Sequence, residues 1–203
     1  MDLKTSTWPR RHAEQLAQLH RLLPESADRP LAVANVGPGL AVRYLGRIAN
    51  RNTVVGDLVR RFETAVRRLP MPDACFENYE ATELAAALDG RRFHLTAIDI
   101  NPRVVRIVVK ALAPNAAGVV ADLGVANSPV LLQLRERFDV VFSFAMVARV
   151  RSAFADNARD NVRSLVRPGG LLVGGGEFGA GDIAPVEGIE HFFRRREAAS
   201  PAA

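Results

Sequence analysis

Cysteine occurs once in the 203 residues, at Cys75, so no intramolecular disulfide can form and the fold must be held by burial alone. A chain of this length buries roughly 70% of the surface its unfolded form exposes, which is enough for a real core in a single domain. Histidine is nearly as scarce, at positions 12, 20, 94 and 191. No pair has ligand spacing, and with one thiol a zinc centre is not expected. Aromatic residues make up 6% and the only lysines are Lys4 and Lys110. A single-strand nucleic-acid surface interleaves aromatics with cations, and here the arginines are spread along the chain without them. The formal charge of +5 keeps RNA as a second candidate partner behind a small molecule. No apolar run approaches the ~20 residues that span a bilayer, and no basic stretch leads into a signal-like apolar one. The expectation is a cytoplasmic protein that does not bind membranes.

What is present is an alternation. Pro9 to Leu23 carries Leu16, Leu19, Leu22 and Leu23 at helical spacing and ends at Pro24, which predicts an amphipathic entry helix. Pro30 to Val36 is a short apolar run closing on Gly37-Pro-Gly39, followed by Leu40, Leu45 and Ile48 at helical spacing: a strand, a tight turn and a helix. Thr53 to Leu69 aligns Val54, Leu58, Phe62, Val66 and Leu69 on one face, a further helix. Ala81 to Leu88 is a short one, ended by Asp89-Gly90.

Phe93 to Asp99 reads as a strand, and Asn101-Pro102 opens the next helix with proline in its first turn. Ala117 to Asp122 and Phe138 to Phe144 look like buried strands. Phe154 to Val166 is helical and stops at Pro168-Gly-Gly170 before a fifth strand, Leu171 to Val173. A glycine-rich loop over 174–188 leads to a last strand, Ile189 to Arg194. Such alternation calls for an α/β fold with a mainly parallel sheet covered by helices on both faces. The expected organisation is an N-terminal helical segment at 1–30, one domain at 31–197 with a helical insertion at about 51–90, and a disordered tail at 198–203.

In such sheets ligands bind outside the carboxyl ends of the strands. Those ends present Asn35, Gly37, Pro38 and Gly39 after the first strand, Asp99 and Ile100 after the second, Asp122 and Leu123 after the third, and Ser143 and Phe144 after the fourth. Gly37 and Gly39 allow a tight turn and close approach of backbone to ligand, and the helix expected after them offers free N–H groups. Asp99 can accept both hydroxyls of a ribose, and it can equally cap the following helix. Asp122 can take an amino group of a base or simply close an Asp-Leu-Gly turn. Gly39 and Asp99 are 60 residues apart, against ~20 in a compact dinucleotide site, which argues against a plain NAD unit.

Together these residues resemble the class I S-adenosylmethionine-dependent methyltransferases over roughly 31–196. The resemblance rests on Val36-Gly-Pro-Gly39, Ala97-Ile-Asp-Ile-Asn-Pro102, Val120-Ala-Asp-Leu123, Phe138-Asp-Val-Val-Phe-Ser143 and Leu165-Val-Arg-Pro-Gly-Gly-Leu-Leu-Val173. Ile98-Asp-Ile-Asn101 and the Glu177-Phe178 and Phe192-Phe-Arg194 ending are faintly similar to the chemotaxis-receptor methyltransferases. The superfamily resemblance implies a Rossmann-like seven-stranded sheet and S-adenosyl-L-methionine as cofactor. It implies the glycine turn beside the methionine part, Asp99 on the ribose and Asp122 near the adenine.

The sequence departs from that pattern at Asn35, where an acidic residue is usual, at Ala41, where a third glycine is usual, and in a tail short for the closing strand-six and strand-seven hairpin. A charge-assisted hydrogen bond is about twice as strong as a neutral one, so Asn35 in place of a carboxylate costs about 1 kcal/mol of binding. Two alternatives stand beside methyl transfer: transfer of the aminocarboxypropyl group from the same cofactor, as in nicotianamine-synthase-like proteins, and a binding module without turnover. The acceptor pocket is expected from Phe144 to Arg151, from the 174–188 loop with Glu177 and Asp182, and from Trp8. The fourth strand runs into Ser143-Phe-Ala-Met146 and not Asn-Pro-Pro-Tyr, which favours a small-molecule acceptor. The 51–90 insertion, with Arg60, Arg61, Arg67 and Arg68, is expected to pack on the sheet or bind a partner, away from the catalytic pocket.

Overall fold

The computed structural model describes residues 12–23, 29–43, 45, 54, 58–59, 61–62, 71–144 and 150–197. Its centre is a seven-stranded sheet of β1 (Leu31–Val36), β4 (Phe93–Asp99), β5 (Ala116–Val120), β6 (Phe138–Ser143), β7 (Val166–Gly174), β8 (Ile183–Pro185) and β9 (Phe192–Arg195). The spatial order is β5-β4-β1-β6-β7-β9-β8. The first five strands in that order run parallel, and β9 is antiparallel to both β7 and β8. A separate two-stranded ladder pairs β2 (Ala41–Val42) with β3 (Phe76–Glu77). The helices that pack with the seven-stranded sheet include α1 (Ala13–Leu22), α2 (Tyr79–Ala87), α3 (Pro102–Leu112), α4 (Pro129–Gln133) and α5 (Ala155–Leu165).

Strand alternation sends the apolar side chains to two faces. Val33, Leu95, Ala97, Val140, Phe142 and Val173 meet Leu16 and Leu19 of α1, Leu84 of α2 and Val108 of α3. Ala34, Val36, Ile98, Val141 and Leu172 meet Leu131 of α4 and Ala158, Val162 and Leu165 of α5 on the other face. Helices thus cover both faces of a mainly parallel sheet, which is a Rossmann-like α/β fold. It is the seven-stranded sheet that the methyltransferase resemblance implies. Crossovers leave β1 toward β4 on one side and return through β6 on the other, so the strand order reverses between β1 and β6, and a crevice opens there at their carboxyl ends. At the opposite end Asp139, with a side chain 5% exposed, accepts two hydrogen bonds from Arg29 at 2.9 and 2.8 Å, one from the Ala32 N–H at 2.8 Å, and the guanidinium of Arg167.

Several boundaries differ from the sequence expectation. No helix starts at Leu40: the chain leaves the glycine turn into β2, because Ala41 and Val42 are buried and find β3 as a ladder partner, while Leu45 is helical and positions 44 and 46–50 of the expected helix lie outside the described residues. Helix α1 starts at Ala13; positions 9–11 of the expected helix lie outside the described residues. The run at 117–122 is an edge strand and not a buried one, with Val120 50% exposed. Pro168-Gly-Gly170 does not precede the fifth strand but lies inside β7, where a register shift against β6 absorbs the missing proline N–H. The glycine-rich loop contains β8, so the short tail does form a closing hairpin, three residues against four.

Most of the expected 53–69 helix lies outside the described residues. Its described members Val54, Leu58 and Phe62 are helical and 87%, 68% and 59% exposed, so they do not pack on the sheet. The 198–203 tail also lies outside the described residues. Among the described residues no helix is long and apolar enough to cross a membrane, and no three His, Cys, Asp or Glu side chains gather as a metal site.

Candidate functional site

The glycine turn caps β1. Gly37 has φ +68° and donates its N–H to the Ile98 carbonyl at 2.8 Å, which folds the turn over the adjoining end of β4. The Gly39 carbonyl accepts from the side-chain amide of Asn78, the N-cap of α2, whose own Oδ1 accepts the Ala81 N–H at 2.6 Å. The C-terminal part of the insertion therefore reaches the glycine turn and is not remote from the crevice. Farther out, β2, β3, α2 and α3 enclose a cleft of about 650 Å³ lined by Arg43, Phe76, Tyr79, Ile107 and Lys110 among others. Asp73 beside it bonds Arg103 at 2.9 Å and Arg106 at 2.7 Å. The Arg106 hydrogen bond, aided by Arg103, holds its carboxyl below the ordinary value of 3.8.

Beneath the turn, Asn35 is 0% exposed, in register with Ala97 on β4 and Phe142 on β6. Neither atom of its carboxamide has a hydrogen-bond partner among the described residues. The Oγ of Ser143, also 0% exposed, has none either. Leaving such groups unpaired costs about 1–3 kcal/mol each, so an orphan at a crevice calls for an explanation. Alternation sets Asn35 on the face of Phe142 and Ser143 on the opposite one, so the two do not converge.

Asp99 is not itself the cap of the helix that follows it. Its Oδ1 accepts the Asn101 N–H at 2.8 Å, and helix capping passes to Asn101, whose Oδ1 accepts the Arg103 N–H at 2.9 Å. The half-buried carboxylate stays at the carboxyl end of β4, flanked by Ile100, an apolar side chain 59% exposed on the rim. Asp122 is exposed and its Oδ1 accepts the Gly124 N–H at 2.8 Å, closing the ordinary turn. The Leu123 side chain is 1% exposed and belongs to the core, so only its backbone faces outward contacts; its carbonyl is taken by Asn161 Nδ2 at 2.7 Å.

Phe144, 9% exposed, continues the Phe142 face. His12 stacks on it at 4.0 Å between centroids and meets Phe142 edge-on at 5.7 Å. The His12 Nε2 lies 3.8 Å from the buried Glu80 carboxylate of α2. From the other side His191 meets Phe144 edge-on at 5.7 Å. Sequence reasoning missed His12, Asn78, Glu80 and His191. A polar residue inside an apolar helical face was the available signal for Glu80, but none marks which strand end a distant helix covers.

Of the expected acceptor-pocket residues, Asp182 is tied to Arg195 at 2.7 Å and Arg163 at 3.6 Å. Partial burial raises its pKa, but the Arg195 hydrogen bond and charge, its own backbone and Arg163 outweigh that and leave it below 3.8. Glu177 is exposed and folded back over Gly175. Trp8 and positions 145–149 lie outside the described residues.

No known family profile and no curated protein matches this chain. Solved structures do. A putative zinc-dependent alcohol dehydrogenase from Rhodobacter sphaeroides is 16% identical at TM-score 0.48, with 86% of this chain and 49% of that one covered. The CurJ carbon methyltransferase is 16% identical at TM-score 0.46, covering 75% and 30%. The N-methyltransferase NodS from Bradyrhizobium japonicum WM9 is 15% identical at TM-score 0.48, covering 92% and 97%. This chain thus spans less than half of the first two and nearly all of the third. Several further similar structures are named as methyltransferases, and one of NodS is in complex with S-adenosyl-L-homocysteine.

Proposed function

We propose that this protein binds S-adenosyl-L-methionine in the crevice between β1 and β6 and transfers its methyl group to a small molecule. The observation that carries the reading is Asn35: a fully buried carboxamide with neither polar atom satisfied among the described residues, placed between a glycine turn and an acidic strand end. A ligand with an ammonium and a carboxylate supplies partners for both atoms, so the residues present fit the group. Asn35 and the 37–39 backbone would hold its amino-acid part, Asp99 its ribose and Ile100 a face of its base. Backbone at 122–123, with Ser143 and Phe144, would line the rest. When bound, the group supplies a methyl already activated by a sulfonium leaving group. The chain's own work is then orientation of the acceptor and exclusion of water.

Calorimetric titration with S-adenosylmethionine, S-adenosylhomocysteine and NAD, on wild type and Asp99→Ala, tests this. Micromolar binding of both sulfur ligands but not NAD, abolished in Asp99→Ala, is the expected result. Binding of NAD alone, or of none, overturns it. RNA is the second candidate partner, and its signature is affinity that falls steeply with salt.

A further inference from the structure

One side chain at the carboxyl end of the sheet, in contact with Phe144, is arranged for work that cofactor binding does not use. His191 stands immediately before β9, and its carbonyl accepts the Gly174 N–H at 3.0 Å, which fixes it at the end of β7 beside Ser143 of β6. Its φ is +70°, a left-handed conformation unfavourable for a non-glycine residue. The ring Nδ1 lies 3.2 Å from the Gly174 carbonyl oxygen. A carbonyl only accepts, so Nδ1 carries the hydrogen and Nε2 keeps the lone pair. Nε2 in turn lies 3.5 Å from the Glu190 carboxylate. Contact with Phe144 holds the ring from the β6 side, and one third of the side chain remains open at 33%. The result is an imidazole of set tautomer, within reach of solvent, at the carboxyl end of the sheet with β6 and β7 between it and Asn35.

Resting on the methyl-donor reading of the crevice, we propose that His191 is the proton acceptor for a hydroxyl-bearing methyl acceptor. The acceptor oxygen bonds the methyl carbon, the sulfur keeps the electron pair of the broken bond, and the O–H proton passes to Nε2, where Glu190 offsets the imidazolium charge. The hydroxyl class follows from the base itself. A neutral amine attacks with its free lone pair and sheds its proton to water afterwards, whereas a hydroxyl oxygen gains most from a base in place.

Two measurements on the full chain test this. In nitrogen-15 correlation spectra of the ligand-free protein, with the His191 ring identified by its absence in His191→Gln, the neutral ring is expected to carry its hydrogen on Nδ1; hydrogen on Nε2 overturns the proposal. With labelled S-adenosylmethionine, and catechol, 4-hydroxybenzoate and 4-aminobenzoate as probes, the wild type is expected to methylate a hydroxyl probe. His191→Gln should then lose about 100-fold or more in kcat with KM little changed, and added imidazole should restore turnover to His191→Ala. Methylation of the amine alone or of no probe, or undiminished kcat in His191→Gln, overturns it. Failure of the wild type to bind S-adenosylmethionine in calorimetry would instead remove the reading on which the proposal rests.

Discussion

Replacing Asn35 by leucine keeps the branched four-atom shape of the side chain and removes both of its polar atoms. Asn35 is 0% exposed and neither polar atom is hydrogen-bonded among the described residues, so the ligand-free protein carries the desolvation penalty of that amide, about 1–3 kcal/mol. Asn35→Leu releases it at nearly constant volume, and a gain of about 2 kcal/mol raises Tm by about 4–8 °C for a chain of this size. The same change removes an acceptor for a charged ligand group, a bond worth about 1.5–3 kcal/mol, so the Kd for S-adenosylmethionine should rise roughly 10- to 100-fold. The two effects have opposite signs if, as proposed, the residue serves the ligand at a cost to the empty fold. Asn35→Asp should do the reverse, lowering Tm without ligand and regaining it when the ligand ammonium is present. Thermal melts with and without S-adenosylmethionine, paired with calorimetry, read both quantities. An Asn35→Leu protein that melts lower than wild type and binds the cofactor equally well would refute the reasoning, since the carboxamide would then be serving the fold.

At the opposite end of the sheet, Asp139→Ala strips the partner of Arg29, Arg167 and the Ala32 N–H together. It should cost about 3 kcal/mol in urea unfolding, well above Arg29→Ala, which leaves Arg167 in place; equal costs would mean that the cluster acts as separate surface pairs. Gly118→Ala would place its Cβ 2.2 Å from Val105 Cγ1. It should destabilise by about 1–3 kcal/mol, and Val105→Ala in the same chain should recover most of that; additive losses would count against a direct clash. Asp182 has a folded pKa below its ordinary 3.8, so its contribution is complete above that value and fades as pH falls through it. The stability gap between wild type and Asp182→Asn should be small, because the group is half exposed, steady near neutrality and shrinking below about pH 4; a gap that widens in acid would reverse the sign.

Where the periodicity was strong, it sufficed. Leu31–Val36, Phe93–Asp99 and Phe138–Ser143 are strands because continuous apolar runs suit a strand buried on two faces. Asn101-Pro102 opens α3 because an amide cap and a fixed proline φ serve a helix start locally. The misreadings were made where a partner decides. Ala41-Val42 became a strand by meeting Phe76-Glu77, and Pro168-Gly-Gly170 stayed within β7 because a register shift against β6 was available. By itself, then, the sequence determined the α/β alternation and the carboxyl strand ends that carry Asn35, Gly37 and Asp99, since strand period, turn glycine and capping act over a few residues. Only the tertiary structure decided that Asn35 lies unsatisfied under the turn, that Asn78 clamps Gly39, and that His12 and His191 meet at Phe144. Those contacts join residues far apart in the chain, and the burial that makes an unpaired amide costly exists only once the sheet has closed around it.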